Sequence, residues 1–226
     1  DGEALTDGDG EGDADPDTVL SNKRFPWLSM RNIELGMCPV RAIRVAYTGE
    51  LGWELHYPVE FGRYLWDLLM KAGERHGLKP VGARAQNWLR QEKSYRAFGT
   101  ELGRDATPLE AGLDRFVDLA KDFRGKQAML DTGIRSKCVT LLIDGPADTD
   151  PWGKEALLLN GEKIGRLTSG GWSVVFGKQI GMGYVRPDLA AVGTKLKVKI
   201  LLKEWDAVVV EDSPYDPSNA RIRVDG

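Results

Sequence analysis

Two side chains with hydrogen-bonding chemistry, Tyr47 and Glu54, lie on neighbouring runs of alternating apolar residues. The runs, residues 40–47 and 53–57, flank a glycine-containing stretch and predict a β-hairpin. With residues 49–52 as the turn, Tyr47 is predicted to oppose Glu54 on one face of that hairpin. A carboxylate held there can accept two hydrogen bonds from an amidine-like N–C–NH₂ edge, which a pterin or a guanine presents.

Arg84 is the third candidate, and it is predicted to lie near the start of a helix. Apolar residues recur at helical spacing from Phe61 to Ala72, and a second helix is predicted over residues 82–95. The predicted buried side of this second helix comprises Val81, Ala85, Trp88 and Leu89. The planar guanidinium of Arg84 can bind an anionic group such as a carboxylate. A plainer interpretation also remains open, in which Tyr47 and Glu54 form only a cross-strand contact and Arg84 is only a surface charge.

Short strand-like runs dominate the sequence after about residue 135. Asn160-Gly161 is a strong hairpin signal between two of these runs. The predicted strands cover residues 138–143, 156–159, 163–168, 195–202, 205–211 and 220–224, and residues 181–183 also have the texture of a strand. This pattern predicts a small all-β barrel or sandwich that forms a second module.

Charge and composition exclude several classes of function. Residues 1–17 carry eight acidic and no basic residues, so residues 1–20 are predicted to be a disordered lead-in, with a calcium loop as the alternative. No apolar stretch has the ~18 residues of a membrane span. Cys38 and Cys138 show no metal-ligand spacing, so no metal site is predicted. The lysine-rich strand lacks stacking aromatics, and no nucleic-acid partner is predicted.

Longer segments resemble one protein family. The stretch PVRAIRVAYTGELGWELHYP at residues 39–58 is similar to a segment of the aminomethyltransferase (glycine cleavage T-protein) family and of the folate-binding domains of dimethylglycine and sarcosine dehydrogenases. Further similar segments follow in family order: GARAQNWLRQEK at 82–93, YRAFGTEL at 95–102, TPLEAGL at 107–113, IGRLTSG at 164–170 and IGMGYV at 180–185. The variants LGWELH and KSYRAFG resemble the dehydrogenase-fused branch more than the free T-protein.

The resemblance implies an α+β fold. Residues 21–135 would be the C-terminal part of the folate-binding aminomethyltransferase domain, with a hairpin-and-helix segment. Residues 136–226 would be the C-terminal β-barrel. Arg90 and Glu92 lie in a stretch that we interpret as structural and ion-paired.

The resemblance also implies a role for each candidate residue. Glu54 matches the carboxylate that recognises the pterin, Tyr47 matches its neighbouring tyrosine, and Arg84 matches an arginine near the aminobenzoate-glutamate end of tetrahydrofolate. The family's aspartate that positions the reacting nitrogen lies in an N-terminal half, and nothing before Leu20 corresponds to it. We therefore assign no catalytic residue, and we expect the chain alone to be incomplete as an enzyme.

The implied function is tetrahydrofolate-dependent transfer of a one-carbon, aminomethyl unit in glycine cleavage or in dimethylglycine or sarcosine breakdown. The expected partners are folate, a small methylamine-type donor, and a missing N-terminal half or an FAD-dependent dehydrogenase domain. The alternatives are a folate-dependent O- or S-demethylase and a non-catalytic folate-binding or structural fragment. An iron-sulfur assembly role is disfavoured because the hairpin lacks a cysteine. The expected location is the cytoplasm, or the mitochondrial matrix in a eukaryote.

Overall fold

A computed structural model describes residues 20–224 of the chain. Residues 1–19, and with them nearly all of the predicted acidic lead-in and its calcium-loop alternative, lie outside the described residues. Two compact units are present: the described parts of Asp1–Gly82 and Ser218–Gly226 form the first, and Ala83–Pro217 forms the second. The boundary between two modules that the sequence predicts near residue 135 stays a prediction. The helices within residues 20–224 are too short or too polar to span a lipid bilayer.

The first unit contains a small antiparallel sheet and one helix. The sheet has the order β1-β2-β3, and its bounds are Met30–Leu35 for β1, Cys38–Ile43 for β2 and Glu54–His56 for β3; α1 covers Gly62–Gly73. Side chains along β2 alternate between buried and exposed, as expected for a sheet with one covered face. Cys38, Val40 and Leu65 form the buried cluster between the sheet and α1. The opposite face of the sheet carries the exposed residues of β3.

The second unit consists of a closed barrel and two helices that precede the barrel in the sequence. The barrel order is β4-β7-β6-β5-β8-β9, all antiparallel. The bounds are Ala83–Glu92 for α2, Lys126–Thr132 for α3, Lys137–Ile143 for β4, Ala156–Leu159 for β5, Glu162–Ser173 for β6, Lys178–Val185 for β7, Lys195–Ile200 for β8 and Lys203–Val210 for β9. The predicted α+β fold with a C-terminal β-barrel is confirmed.

Short 3₁₀ turns connect several of these elements. They occupy Val59–Phe61, Glu74–His76, Asp114–Phe116, Ala147–Thr149, Pro187–Leu189 and Arg221–Arg223. The last of them overturns the strand predicted for residues 220–224. Ile222 is buried there, and the carbonyl of Val224 accepts a hydrogen bond from the Arg44 side chain, so an anchoring contact replaces a strand ladder. Strand β1 was not predicted from the sequence.

Helix α2 buries polar residues where the sequence pattern predicted apolar ones. Arg90, Gln91 and Glu92 are buried, whereas Val81 is 66% and Leu89 is 36% exposed. Arg90 forms an ion pair with Glu101 at 2.9 Å, and neither side chain is accessible to solvent. Glu92 accepts hydrogen bonds from the Ser173 hydroxyl and the Val175 amide. The prediction of an ion-paired stretch is therefore confirmed at Arg90. The prediction about the buried side of α2 was wrong because Arg90 and Glu92 can be buried where they have hydrogen-bonding partners.

Glu110 closes a second polar cluster in the irregular segment before α3. Its carboxylate accepts the Thr107 amide at 2.8 Å while its own amide bonds the Thr107 hydroxyl, which is the reciprocal pattern of a capping box. Three further hydrogen bonds of 3.0 Å come from the Arg135 amide and guanidinium. The hydrogen bonds from Arg135 lower the pKa of Glu110 to about 2 against the opposing effect of burial.

Because the pKa of Glu110 is lower in the folded chain, its contribution to stability is present above the unfolded value of ~4.3 and is lost as the pH falls toward about 2. We expect Glu110→Gln to lower the free energy of unfolding at neutral pH by about 1.5–3 kcal/mol. This deficit should shrink as the pH falls from about 4.5 to 2. Urea unfolding of both proteins across this range checks the expectation. A deficit independent of pH would contradict it.

Candidate functional site

The register of the hairpin differs from the one that the sequence predicts. Strand β3 pairs with β2 so that Ile43 opposes Glu54, Ala42 opposes Leu55 and Arg41 opposes His56. Tyr47 lies in the ten-residue connection of residues 44–53 and not on the strand. The prediction that Tyr47 and Glu54 are directly opposed partners is therefore wrong.

Arg44 explains why the strand leaves the hairpin ladder early. Its backbone pairs with Leu28 and Ser29, and its guanidinium donates hydrogen bonds to the carbonyls of Phe25 at 2.6 Å and Val224 at 2.7 Å. The side chain is only 1% exposed, and its guanidinium carbon lies 5.5 Å from the centre of the Trp53 ring. A buried charge needs such partners, so residues that follow Arg44 cannot continue the pairing with β3.

Glu54 lies on the exposed face of the edge strand. Its side chain is 56% exposed, and Nε2 of the His56 imidazole lies 3.4 Å from its Oε2. His56 and Arg41 line an open cleft of about 490 Å³ together with Pro39, Tyr57 and Pro58. Glu54 itself does not line this cleft, but residues 54 and 56 share a face of the strand, so Glu54 and His56 are exposed on the same side. Tyr47 is 44% exposed in the connection before β3.

Arg84, in the second unit, is held by three side chains. Its guanidinium pairs with the carboxylate of Asp150 and lies between two indole rings, 5.3 Å from the centre of Trp88 and 4.6 Å from the centre of Trp152. The Trp152 indole N–H also donates to Asp150 at 3.0 Å. Arg84 remains 48% exposed. The guanidinium therefore has a fixed position and further N–H donors for an incoming anion.

The sequence revealed only some neighbours of the candidate residues: Trp88 follows Arg84 at a spacing of four residues, which places both on one stripe of helix α2. The spacing of two residues places His56 on the same face as Glu54, so strand periodicity could have found it. No sequence pattern points to Asp150 or Trp152, which come from an irregular segment before β5. Within residues 20–224, His, Cys, Asp and Glu side chains form no group of three or more that could hold a metal ion.

Comparison with known proteins shows two consecutive family matches. Residues 14–121 match the GCVT N-terminal domain, and residues 137–216 match the glycine cleavage T-protein C-terminal barrel domain. These domains define a protein of the aminomethyltransferase class, in which a mixed α+β segment precedes a barrel. The chain belongs to the aminomethyltransferase (glycine cleavage T-protein) family.

Individual relatives agree with this assignment. Mitochondrial dimethylglycine dehydrogenase of Rattus norvegicus is 38% identical over 216 residues, which are 92% of this chain and 25% of the relative. Mitochondrial sarcosine dehydrogenase of Mus musculus is 33% identical over 220 residues, 92% of this chain and 24% of the relative. The crystal structure of glycine cleavage system aminomethyltransferase T from Bartonella henselae matches with a TM-score of 0.70 and 26% identity, covering 83% of this chain and 51% of that one. The chain thus spans about a quarter of the dehydrogenases and about half of the aminomethyltransferase.

Gly171 on β6 permits the Trp88 ring to take its place beside Arg84. A Cβ at residue 171 would lie well inside van der Waals distance of the Trp88 ring, whose rigid indole cannot move aside cheaply. We expect Gly171→Ala to destabilise the chain by about 1–3 kcal/mol through overpacking. Adding Trp88→Leu should recover part of this loss.

Thermal or urea unfolding of the two single variants and the double variant measures this coupling. Gly82→Ala is the matched control, because a Cβ there meets nothing within 4 Å. Additive effects of Gly171→Ala and Trp88→Leu would contradict the proposed contact.

Proposed function

We propose that the chain is the part of a tetrahydrofolate-dependent one-carbon transferase that binds the folate. The donor is a small methylamine, such as dimethylglycine, sarcosine or an aminomethyl group. The observation that carries this proposal is the similarity to dimethylglycine dehydrogenase over 92% of the chain, which includes the segments of both candidate sites. Tetrahydrofolate would supply the nitrogen atoms that accept the one-carbon unit.

Glu54 is the residue that we propose for pterin recognition. Its carboxylate is exposed on strand β3, 3.4 Å from the imidazole of His56, and it shares a strand face with His56, which lines the 490 Å³ cleft. Two carboxylate oxygens match the paired N–H donors of the pterin edge. Because the observed register no longer supports a Tyr47–Glu54 pair, the role of Tyr47 as a neighbouring contact rests on the family resemblance.

Arg84 is the residue that we propose for the anionic glutamate end of the folate. The two indoles and Asp150 restrict the guanidinium, which lowers the entropy lost when it binds a carboxylate. Asp150 also competes for the same cation. We therefore expect Arg84 to contribute less to affinity than Glu54 does.

The chain's partners follow from the same family assignment. In the dehydrogenase-like arrangement, an FAD-dependent domain would oxidise the methylamine, and the folate-binding domain would capture the one-carbon unit. In the aminomethyltransferase arrangement, an N-terminal half would supply the residue that positions the reacting nitrogen. A mitochondrial matrix location fits the mitochondrial relatives if the source is a eukaryote.

The affinity of a reconstituted protein tests the role of Glu54. In this protein, the N-terminal half of an aminomethyltransferase relative is joined to the chain. Glu54→Gln keeps the shape of the side chain but places an N–H₂ donor opposite a pterin donor. The lost charge-assisted bond should cost roughly 1.5–3 kcal/mol, or about ten- to hundredfold in the affinity for tetrahydrofolate. Calorimetric titration of tetrahydrofolate measures the change.

Two variants sharpen this test. Glu74→Gln, an exposed glutamate beyond α1, is the matched control and should leave the affinity unchanged. Arg84→Ala should cost at most ~1 kcal/mol because its ion pairs are half exposed. A Glu54→Gln affinity within about twofold of the parent, or a larger loss in Arg84→Ala, would show that the pterin docks elsewhere.

Product analysis tests the class of reaction. The same reconstituted protein, supplied with an oxidised methylamine donor, is expected to form methylenetetrahydrofolate. Transfer of an intact methyl group would give methyltetrahydrofolate instead and would contradict the proposed class of donor. The unmodified chain, assayed without the added N-terminal half, is the control.

A further inference from the structure

The second unit contains a cavity that the proposed folate site does not use. It has a volume of about 370 Å³ and lies between the loop of residues 99–106 and barrel strands β6 and β7. Polar side chains that line it include Ser136, Lys154, Arg166 and Tyr184. Ligand pockets begin at about 300 Å³, so the cavity has room for a small molecule.

The buried negative group at this cavity, Glu101, is already compensated. Glu101 accepts hydrogen bonds on one oxygen from Thr168 and Ser169, and its other oxygen pairs with Arg90 at 2.9 Å. Its negative charge is therefore balanced outside the cavity. The Tyr184 hydroxyl donates to the Glu101 carbonyl at 2.8 Å, and burial raises the pKa of this phenol, so it stays neutral.

The positive groups are not fully compensated. Arg166 lies 3.4 Å from Asp105, and both side chains are more than half exposed, so this pair is weak. Among residues 20–224, no carboxylate forms an ion pair with Lys154. The lining thus carries one uncompensated positive charge, beside the hydroxyl donor of Ser136.

The backbone holds Lys154 at the cavity in an unfavourable conformation. Its φ angle is +77°, a region that glycine adopts freely and that lysine rarely adopts. The Lys154 amide donates to the Leu167 carbonyl at 2.7 Å, and the Glu155 carboxylate accepts the amides of Trp152 and Gly153. A strained non-glycine residue fixed by its surroundings is a frequent feature of binding sites.

We propose that this cavity binds a small organic monocarboxylate, with Lys154 as its principal cation and Arg166 and Ser136 as further donors. A single uncompensated positive charge matches one carboxylate better than a phosphate dianion, which would leave an unbalanced negative charge in the cavity. The Arg166–Asp105 pair is exposed, so the guanidinium can turn part of its fork to the ligand. None of the residues that line this cavity is one of the proposed folate-binding residues Tyr47, Glu54 and Arg84.

Titration of the full chain with butyrate at constant ionic strength tests the proposal, with the amide signals of residues 99–106 and 152–155 followed by NMR. We expect saturable shifts in both segments. Lys154→Gln should weaken binding by about ten- to hundredfold, because a charge-assisted bond is lost. Lys163→Gln removes an exposed lysine that does not line the cavity and should leave the titration unchanged. Asp105→Asn should strengthen binding, because it removes the competing carboxylate.

Lys154→Gly separates a binding role from a structural one. Glycine tolerates the positive φ, so this variant should melt at a higher temperature than the parent while losing the butyrate-dependent shifts. Equal butyrate shifts in the parent and Lys154→Gln, tighter binding of inorganic phosphate than of butyrate, or the absence of saturable shifts in the parent would each overturn the proposal.

Discussion

The buried ion pair between Arg90 and Glu101 is the interaction on which the second unit depends. Arg90 comes from helix α2, and Glu101 comes from the loop that follows it; Thr168 and Ser169 tie the same carboxylate to β6. Burial opposes the charge on Glu101, but the charge of Arg90 and the hydrogen bonds from Ser169 and Thr168 outweigh it and lower the pKa of Glu101. Loss of either partner would leave an uncompensated buried charge, at a cost of about 3–5 kcal/mol. Helix, loop and barrel are therefore held in one arrangement.

This polar centre positions two different surfaces of the second unit. Helix α2 carries Arg84 at its start and Arg90 near its end, so fixing Arg90 also fixes the helix from which Arg84 reaches Asp150. The loop that supplies Glu101 also lines the 370 Å³ cavity. In the first unit, the buried guanidinium of Arg44 has a comparable effect: it draws the chain away from the sheet and leaves β3 short, with Glu54 exposed at its start. Buried arginines thus determine where the candidate residues stand.

Sequence patterns predicted the elements better than the contacts between them. The barrel strands and helix α1 follow hydrophobic periodicity, and the Asn160-Gly161 turn has both residues at positive φ, as a two-residue hairpin requires. The hairpin register failed because periodicity does not show that Arg44 is buried by carbonyls from residues 25 and 224. The prediction of the buried side of α2 was wrong for a similar reason, because Arg90 and Glu92 find partners outside the helix, at residues 101 and 173. Family resemblance named Tyr47, Glu54 and Arg84, but only the structure gives their surroundings.

We propose that tetrahydrofolate binds against the exposed face of the three-stranded sheet. Hydrogen–deuterium exchange of the reconstituted protein, with and without tetrahydrofolate, tests it most directly, because backbone amides report the binding surface without any substitution. We expect slower exchange on ligand addition in strands β2 and β3 and in the connection of residues 44–53 between them. Unchanged exchange in these segments, with protection confined to the barrel strands β4 to β9, would contradict it.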